Sequence, residues 1–223
     1  MRKVSIIIPV RNGIKYLPLT IESIMKTTYP NYKIIIVESE SDDGVNYYCD
    51  YLASRYPFIK VIHTKKEGIT KAINKGIEAS DADSDVLLTQ NDVVFPSLVE
   101  RDWLSMMVGI ADSDGCIGIV TCMNGGGVSG PDYLDGFKWV GTWCMYVKRE
   151  TLKKVGLFDE SFSPGPGDDI CFTYRVYKSG FYIGMANFAV DHHRLGENYN
   201  DSSELCQKGA KRFREKYDIQ NTK

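Results

Sequence analysis

The first half of the chain alternates short apolar runs with amphipathic stretches. Four runs are rich in β-branched residues, which is typical of strands covered on both faces of a parallel sheet. Between them, apolar residues recur every three or four positions, the period of a helix. The predicted strands span 4–10, 32–38, 58–64 and 85–90, and the predicted helices span 16–28, 45–57 and 68–80.

The second half is less regular. We expect a Gly-rich loop over 124–136, a strand over 141–150, and one strand or two over 181–193. Gly180 is well placed to end the helix before that last region, because glycine readily adopts the left-handed conformation that closes helices. The helices predicted in this half span 97–111, 168–180 and 202–217, and a further strand spans 116–123.

The order of these elements predicts one α/β domain over 1–223. Alternating strands and helices form a mostly parallel central sheet with helices on both faces. Right-handed crossovers then bring the carboxyl ends of the parallel strands to one edge, where ligands bind in open α/β sheets.

Composition and charge exclude several classes of protein. Of the 223 residues, 43% are hydrophobic and 25% charged, and the net charge of −2 gives no electrostatic basis for binding nucleic acid. No window approaches the ~20 apolar residues of a membrane span. The six cysteines form no Cys-x-x-Cys pair, so we interpret them as small core residues in a reducing compartment. We therefore expect a cytoplasmic protein without a transmembrane segment.

Polar and acidic residues follow the predicted strands where the sheet edge is expected. The fourth strand ends in Gln90, Asn91 and Asp92, and the second leads into the acidic run 38–43. Facing carboxylates repel unless a cation lies between them, and hard divalent ions take oxygen ligands from carboxylates and substrate phosphates. The pattern is expected for a metal-assisted site that binds a nucleotide diphosphate, and solvated acidic loops explain it equally well.

Ordered motifs across residues 3–195 resemble those of GT-A fold glycosyltransferases of the family 2 type. The stretches "IIIPVRNG" and "VESESDDG" are similar to the family's Pro-x-x-Asn and Val-Asp-x-x-Ser-x-Asp-Gly patterns. Glu38 stands where the family generally has the Asp that contacts the nucleobase. "EGITKAINKG", "QND" and "GLFDE" followed by "DDICFTYR" resemble the later motifs. The matching residues include Pro9, Asn12, Ser41, Asp43, Gly68, Asn74, Gly76, Asp92, Gly141, Asp159, Asp169 and Arg175.

The resemblance implies a Rossmann-like GT-A fold and an inverting sugar transfer from a nucleotide-diphosphate donor to a hydroxyl. It divides the domain into a nucleotide-binding half over 1–95, an acceptor-binding and catalytic half over 96–200, and a C-terminal helix over 201–223. The implied cofactor is a divalent cation, Mn²⁺ or Mg²⁺. The expected nucleotide-sugar contacts are Pro9, Asn12, Glu38, Ser41, Asp43, Gly68, Asn74, Asn91 and Arg194.

The same resemblance implies most of the remaining site residues, and Trp143 is added because aromatic rings stack well on sugars. Asp92 is implied as a metal ligand, with His192 as a further ligand in preference to His193. Asp169 is expected to be the general base, with helix capping as the alternative role. Asp168 and Trp143 are expected to bind the acceptor, although Asp168 could instead cap the helix and Trp143 could belong to the core.

Other functions stay open or are disfavoured. A non-catalytic nucleotide-sugar or carbohydrate-binding module on the same fold is the alternative, because Glu38, Gln90 and Cys171 depart from the family pattern. A Rossmann dehydrogenase is disfavoured because no G-x-G-x-x-G follows the first strand. The expected partners are the donor and a glycan or glycolipid acceptor used in glycan synthesis. The basic face of the last helix is expected to be solvated, with peripheral contact at the inner face of a membrane as the alternative.

Overall fold

The structure, a computed structural model, describes residues 1–97, 101–124, 132–134, 137–163, 167–193 and 202–218. Its strands are β1 (Val4–Val10), β2 (Tyr32–Ser39), β3 (Ile59–Thr64), β4 (Asp85–Thr89), β5 (Val93–Val94), β6 (Ile117–Asn124), β7 (Asp132–Leu134), β8 (Phe137–Trp139), β9 (Cys144–Val147) and β10 (Tyr182–His192). Its helices are α1 (Leu17–Met25), α2 (Val45–Arg55), α3 (Ile69–Glu78), α4 (Trp103–Ser113), α5 (Arg149–Val155), α6 (Asp168–Lys178) and α7 (Ser202–Tyr217), with a short 3₁₀ turn over Glu160–Phe162.

Eight of the described strands form one sheet, in the order β3-β2-β1-β4-β9-β6-β10-β5. β1 pairs in parallel with both β2 and β4, and β2 pairs in parallel with β3. β9 is antiparallel to β4 and β6, whereas β10 is parallel to β6 and antiparallel to β5. The predicted mostly parallel sheet is confirmed, and the carboxyl ends of β1 to β4 share one edge.

The central strands are buried on both faces because successive residues of a strand point to opposite sides of the sheet. In β1, Ile6 and Ile8 pack in the core cluster that includes residues of α1, α2 and α4. Ile7 packs in the second cluster, with residues of α3, α5 and α6. In β2, Ile36 belongs to the first cluster and Val37 to the second. Because both faces of these strands are covered by helices, the strands are apolar at nearly every position.

Two predicted boundaries in the second half are wrong. The helix predicted from residue 97 begins at Trp103, where the Asp102 side chain caps it by accepting a hydrogen bond from Ser105 N–H at 2.8 Å. The strand predicted over 141–150 ends at Val147, and the next residue but one begins α5. Local capping and tertiary contacts determine where α4 begins and where β9 ends. The pattern of apolar residues contains neither kind of information.

The structure also describes part of the Gly-rich region and the whole of the strand predicted over 181–193. β7 and β8 form an antiparallel hairpin, so residues 132–134 of the expected loop are a strand, while 125–131 and 135–136 lie outside the described residues. β10 is one strand with a register shift between Ala186 and Ala189. Gly180 follows α6 with φ of 82°, as the C-cap prediction requires.

The last helix packs against the domain through its apolar side, and its basic face is in part exposed and in part bonded to the domain. Phe213 is fully buried. Arg212 donates a hydrogen bond to the Ser161 carbonyl oxygen at 2.7 Å, and Lys216 forms an ion pair with Asp159. Two of the basic residues therefore hold the segment around the 3₁₀ turn. None of the helices in the described part of the chain has the length and apolarity needed to cross a membrane.

Gly76 allows α3 to pack closely on β1, and its replacement tests that contact. A Cβ atom added at Gly76 would lie 2.4 Å from Ile7 Cγ2, a branched side chain with little freedom to move. Gly76→Ala is therefore expected to lower the free energy of unfolding by about 1–2 kcal/mol, because overpacking outweighs the gain in helix propensity.

Gly109 in α4 provides the matched control. A Cβ atom added there meets nothing within 4 Å, so Gly109→Ala is expected to raise the free energy of unfolding by about 0.5–1 kcal/mol. Urea unfolding of both variants measures the two effects. A stabilising effect at Gly76 would contradict the close contact between α3 and β1.

Candidate active site

A cavity of about 640 Å³ opens at the carboxyl edge of the sheet. It lies between the ends of β1 and β2 and the first turn of α3, and its size is typical of small-molecule sites. Three of the predicted nucleotide contacts, Pro9, Gly68 and Asn91, line it. The cavity therefore coincides with the edge that the sequence pattern selects.

Hydrogen bonds from backbone N–H groups to side-chain oxygens tie the loops after β1 and β2 together. Asn12 N–H donates to Ser41 Oγ at 3.0 Å, and Asp42 N–H donates to Asn12 Oδ1 at 3.0 Å. Asp43 Oδ2 accepts from Ile14 N–H at 2.8 Å. In this structure, Asn12, Ser41 and Asp43 shape the two loops, and their contact with a nucleotide stays a prediction.

Glu38 is buried and both of its carboxylate oxygens are occupied. Oε1 accepts from Ser41 N–H at 2.7 Å, and Oε2 lies 2.9 Å from His63 Nδ1. The other nitrogen of His63 lies 2.9 Å from Asp50 Oδ1. Burial alone raises the pKa of Glu38, but hydrogen bonds from His63 and Ser41 outweigh it and hold the pKa below its usual value. Hydrogen bonds to Glu38 and Asp50 raise the pKa of His63.

The two predicted contacts on α3 differ in position. Gly68 precedes the helix with φ of 95°, a conformation that favours glycine, and lines the cavity. Asn74 is buried, and its side chain makes two hydrogen bonds of 2.9 Å with the Phe158 backbone. Its amide also donates to Glu160 Oε1 at 3.0 Å. Asn74 therefore connects α3 to the segment before α6. Its contact with a nucleotide stays a prediction.

Asn91 reaches the cavity because glycine stands opposite it. A Cβ atom added at Gly13 would lie 2.4 Å from Asn91 Nδ2. The Asn91 carbonyl oxygen accepts a hydrogen bond from Thr20 Oγ1 at 2.9 Å, which fixes the turn after β4 to α1.

Asp92 and His192, the predicted metal ligands, lie together at the end of β4. His192 Nε2 is 3.4 Å from Asp92 Oδ1 and 3.2 Å from Gln90 Oε1. The antiparallel pairing of β5 with β10 produces this arrangement. It places His192 opposite Val93, the residue that follows Asp92. His193 instead contacts the Tyr16 ring, with ring centroids 5.3 Å apart.

These two side chains fit a cation shared with a phosphate ligand. Within the described ranges, no group of three or more His, Cys, Asp or Glu residues is arranged to hold a metal alone. A carboxylate suits Mn²⁺ or Mg²⁺, and imidazole is a common metal ligand. Magnesium-type sites commonly use one or two carboxylates and complete their coordination with water and substrate phosphates. Asp92 and His192 are a donor set of that kind.

Trp143 contacts His192, and the neighbouring Gly141 lies close to Asp169. The Trp143 ring stacks on His192, with centroids 6.0 Å apart and planes inclined by 27°. A Cβ atom added at Gly141 would lie 2.7 Å from the Trp143 ring and 3.8 Å from Asp169 Oδ2. Thr89 Oγ1 donates to the Trp143 carbonyl oxygen at 2.9 Å and holds the start of β9 on β4. The histidine and the α6 carboxylate therefore both neighbour the segment that carries Trp143.

The two aspartates at the start of α6 have different surroundings. Asp168 is buried, accepts a hydrogen bond from Thr70 Oγ1 at 3.0 Å, and has its pKa raised by that burial. Asp169 is half-buried, and its Oδ1 accepts from Ile170 N–H at 2.8 Å. Asp168 thus joins α6 to α3, and its role towards an acceptor stays a prediction. Asp169 is the more accessible of the two carboxylates.

Some residues at the cavity were not predicted, and one predicted residue cannot be placed. Lys66, Lys71, Glu160 and Ser163 line the cavity. The two lysines flank the start of α3 and could have been inferred from that position. Glu160 and Ser163 come from the distant segment that Asn74 and α7 hold, which no local pattern reveals. Arg194 lies outside the described residues, so its contact with a diphosphate stays a prediction.

Residues 5–164 match the family model described as glycosyl transferase family 2. The chain belongs to this family. Among curated relatives, glycosyltransferase GlyG of Streptococcus pneumoniae serotype 4 is 31% identical over 116 residues, or 52% of this chain and 38% of GlyG. The chain spans between 27% and 38% of the length of the first three curated relatives that it matches.

Solved structures confirm the GT-A fold of this family 2 chain. Mannosyltransferase PcManGT from Pyrobaculum calidifontis, in complex with GDP-Man and Mn²⁺, matches 100% of this chain and 66% of its own length, with a TM-score of 0.79 and 18% identity. S. aureus TarS 1-349, in complex with UDP-GlcNAc, matches 89% of this chain and 60% of its own length, with a TM-score of 0.70 and 18% identity. At these identities the likeness establishes the fold alone.

The Glu38–His63 pair predicts a pH window of stability. The raised pKa of His63 contributes stability that is complete below its usual value of 6.5 and is lost as pH rises through the folded-state pKa. The lowered pKa of Glu38 contributes stability that is complete above its usual value of 4.5 and is lost as pH falls. Wild type should exceed His63→Gln in stability most between pH 4.5 and 6.5, and the difference should shrink above pH 7.

Melting temperatures of both proteins from pH 4 to pH 9 measure this difference. A constant difference across that range would show that no charge on His63 is involved.

Asn74 provides a separate test of whether a predicted contact residue holds the fold. Asn74→Ala leaves the buried Phe158 N–H and carbonyl without their partners and is expected to cost about 2–4 kcal/mol of stability. Asn46→Ala, on half-exposed α2 surface, is expected to change stability by less than about 0.5 kcal/mol. Urea unfolding without ligand distinguishes them. An unchanged Asn74→Ala midpoint would mean that the residue serves the ligand alone.

Proposed function

We propose that this domain is a metal-assisted, inverting glycosyltransferase that moves a sugar from a nucleotide-diphosphate donor to a hydroxyl of a glycan or glycolipid acceptor. One observation carries the proposal. Asp92 and His192 lie beside Trp143, Asp169 lies beside Gly141 of the same segment, and Asn91, the residue before Asp92, lines a cavity large enough for a nucleotide. Family membership supports the reaction class.

The residues that line the cavity suit a nucleotide diphosphate. Pro9 and Ala72 supply apolar surface for a base and ribose, and Arg11, Lys66 and Lys71 supply positive charge for phosphates. Asn91 connects this cavity to Asp92. The nucleotide sugars in the PcManGT and TarS complexes, GDP-Man and UDP-GlcNAc, support the same donor class here.

Asp92 and His192 would hold the divalent cation, Mn²⁺ or Mg²⁺. When bound, such a cation offsets the negative charge that develops on a departing diphosphate. The presence of Mn²⁺ in the PcManGT complex supports this assignment. Gln90 Oε1 lies 3.2 Å from His192 Nε2, the nitrogen that also faces Asp92, so Gln90 lies beside the proposed cation.

Asp169 would act as the general base. It takes the proton from the acceptor hydroxyl as that oxygen attacks the anomeric carbon from the face opposite the diphosphate, so the configuration inverts. Its half-buried position leaves the carboxylate reachable, whereas Asp168 is held by Thr70. The exposed part of the Trp143 ring would offer the acceptor sugar an apolar face beside that base.

The cellular setting belongs to the same proposal. A glycan or glycolipid acceptor places the enzyme in polysaccharide or glycoconjugate synthesis, in the cytoplasm or at the inner face of a membrane. Because the chain spans less than half the length of the first three curated relatives, acceptor selection would involve residues beyond this domain wherever a longer protein carries it.

Asp169→Asn tests the catalytic role. The amide keeps the shape of the side chain but cannot accept the proton, so transfer is expected to fall by about 10²–10⁴-fold with little change in donor affinity. Asp191→Asn is the control, because Asp191 is an exposed carboxylate beside His192 that has no assigned role. Release of nucleotide from UDP-, GDP- and dTDP-sugars, with and without glycan acceptors, measures the rate.

The product configuration and the wild-type rate decide between the alternatives. NMR of the new glycosidic bond should show inversion, and retention would contradict a single displacement assisted by Asp169. Donor binding without turnover in any acceptor mixture would favour the non-catalytic binding module.

A further inference from the structure

The segment 159–163 lies on the chain between the cavity and the helix that carries Asp169. Glu160 and Ser163 of this segment line the cavity, and Asp168 and Asp169 begin α6 soon afterwards. The position of the segment therefore affects the position of the carboxylate that we propose as the general base. Two helices, α3 and α7, hold the segment from different sides.

The contacts on the α3 side involve the two residues that line the cavity. The Asn74 amide donates to Glu160 Oε1 at 3.0 Å. Ser163 Oγ donates to the Glu67 carbonyl oxygen, in the loop before α3, at 2.7 Å. These bonds hold the wall of the proposed donor site without any contribution from α7.

The contacts on the α7 side come from two cations. The Arg212 guanidinium donates to the carbonyl oxygens of Ser161 at 2.7 Å and Phe162 at 3.3 Å, and it lies over the Phe162 ring, 5.0 Å from the centroid. Lys216 forms an ion pair with Asp159 and donates to Ser161 Oγ at 3.2 Å. Both cations of α7 therefore bind the same stretch of chain, on the residues that α3 leaves to them.

α7 also contacts the residue directly before α6. A Cβ atom added at Gly167, where φ is 106°, would lie 3.0 Å from the Gly209 carbonyl oxygen of α7. Burial raises the pKa of Asp168, and the positive charge of Arg212 is among the interactions that oppose this rise. The guanidinium that holds the segment is thus close enough to act on the acidic start of α6.

An apolar anchor keeps α7 on the domain independently of these cations. Phe213 is fully buried. Its ring centroid lies 5.1 Å from that of Tyr174 in α6 and 5.5 Å from that of Phe137 in β8. Because this packing does not involve Arg212 or Lys216, replacement of either cation is expected to leave α7 in place and to free only the segment that it holds.

We propose that Arg212 and Lys216 are positioning residues for the transfer reaction, which hold residues 159–163 against α7 and thereby orient the start of α6 with Asp169. The proposal rests on the proposed function, because it takes Asp169 as the general base. A displacement of about 1 Å in a reacting group can slow a reaction by ~100-fold. Loosening the segment therefore slows the transfer step, while the bonds from the α3 side preserve the affinity for the donor.

The rate and the affinity are measured separately in Arg212→Gln. Nucleotide release from UDP-, GDP- and dTDP-sugars gives kcat, and calorimetry with UDP, GDP and dTDP, each with MnCl₂, gives Kd. Arg212→Gln is expected to lower kcat by about 10- to 100-fold and to change Kd by less than about twofold. Urea unfolding shows whether the variant is folded under the assay conditions.

Two further variants on the same helix complete the comparison. Lys216→Gln removes an ion pair at the surface, where loss of folding is not expected, and should lower kcat by about threefold. It decides the question if Arg212→Gln does not fold. Lys211→Gln is the matched control, because the Lys211 side chain is 77% exposed and pairs with Glu215 of the same helix. It is expected to change neither kcat nor Kd.

A double-mutant cycle distinguishes positioning of the base from a general structural role. If Arg212 acts through Asp169, then Arg212→Gln added to Asp169→Asn should lower the residual rate by less than about threefold, because the carboxylate that it positions is already absent. A contribution to the fold alone would lower the rate by the same factor in both backgrounds.

The outcomes separate this inference from the function on which it rests. An unchanged kcat in Arg212→Gln or Lys216→Gln, an equal loss in both backgrounds of the cycle, or a loss of nucleotide affinity as large as the loss of kcat would overturn the positioning role and leave the proposed function intact. Failure of wild type to release nucleotide from any of the sugar donors would overturn the proposed function and this inference with it.

Discussion

The parallel pairing of β1 with both β2 and β4 is the constraint on which the candidate site depends. Because all three strands run in one direction, their carboxyl ends meet at one edge of the sheet. The residues that leave those ends, Asn12, Ser39 and Asp92 among them, are far apart in sequence and close in space. That pairing is stable because β1 is covered on both faces, by α1, α2 and α4 on one side and α3, α5 and α6 on the other.

The antiparallel insertion of β9 completes the site. β9 pairs with β4 and places Trp143 next to the turn that carries Asp92. β10 then delivers His192 from the far side of the sheet, through its pairing with β5. The parallel half, which we propose to bind the nucleotide, and the mixed half, which carries Trp143 and Asp169, thus meet where β9 pairs with β4.

The first half of the fold could be predicted from sequence because its strands and helices have clear apolar periods. Unbroken β-branched runs predict strands with two buried faces, and β1, β2 and β4 have them. The second half could not be predicted to the same extent. Asp102 sets the start of α4 by capping, and the contact of α7 with the segment around Asp159 depends on tertiary packing that no local pattern contains.

The candidate site likewise has one part that the sequence predicts and one part that it does not. Motif order brought Asp92, His192, Trp143 and Asp169 to attention, and the structure places them within one small region. The motifs could not show that Glu38 and Asn74 are buried and bonded to protein groups. Their identity matches a pattern, but their role depends on which face of the strand or helix each side chain occupies. Ser39, a single position from Glu38, lines the cavity because successive residues of a strand face opposite sides of the sheet.

The most direct test of the central claim is calorimetric binding of a nucleotide diphosphate to wild type and Asp92→Asn, each with and without MnCl₂. We expect Mn²⁺ to strengthen binding to wild type at least tenfold, and we expect Asp92→Asn to remove most of this gain while Asp191→Asn retains it. Equal affinity with and without Mn²⁺, or an Asp92→Asn variant that keeps the full effect of Mn²⁺, would contradict the role of the carboxyl edge as a metal-assisted nucleotide site.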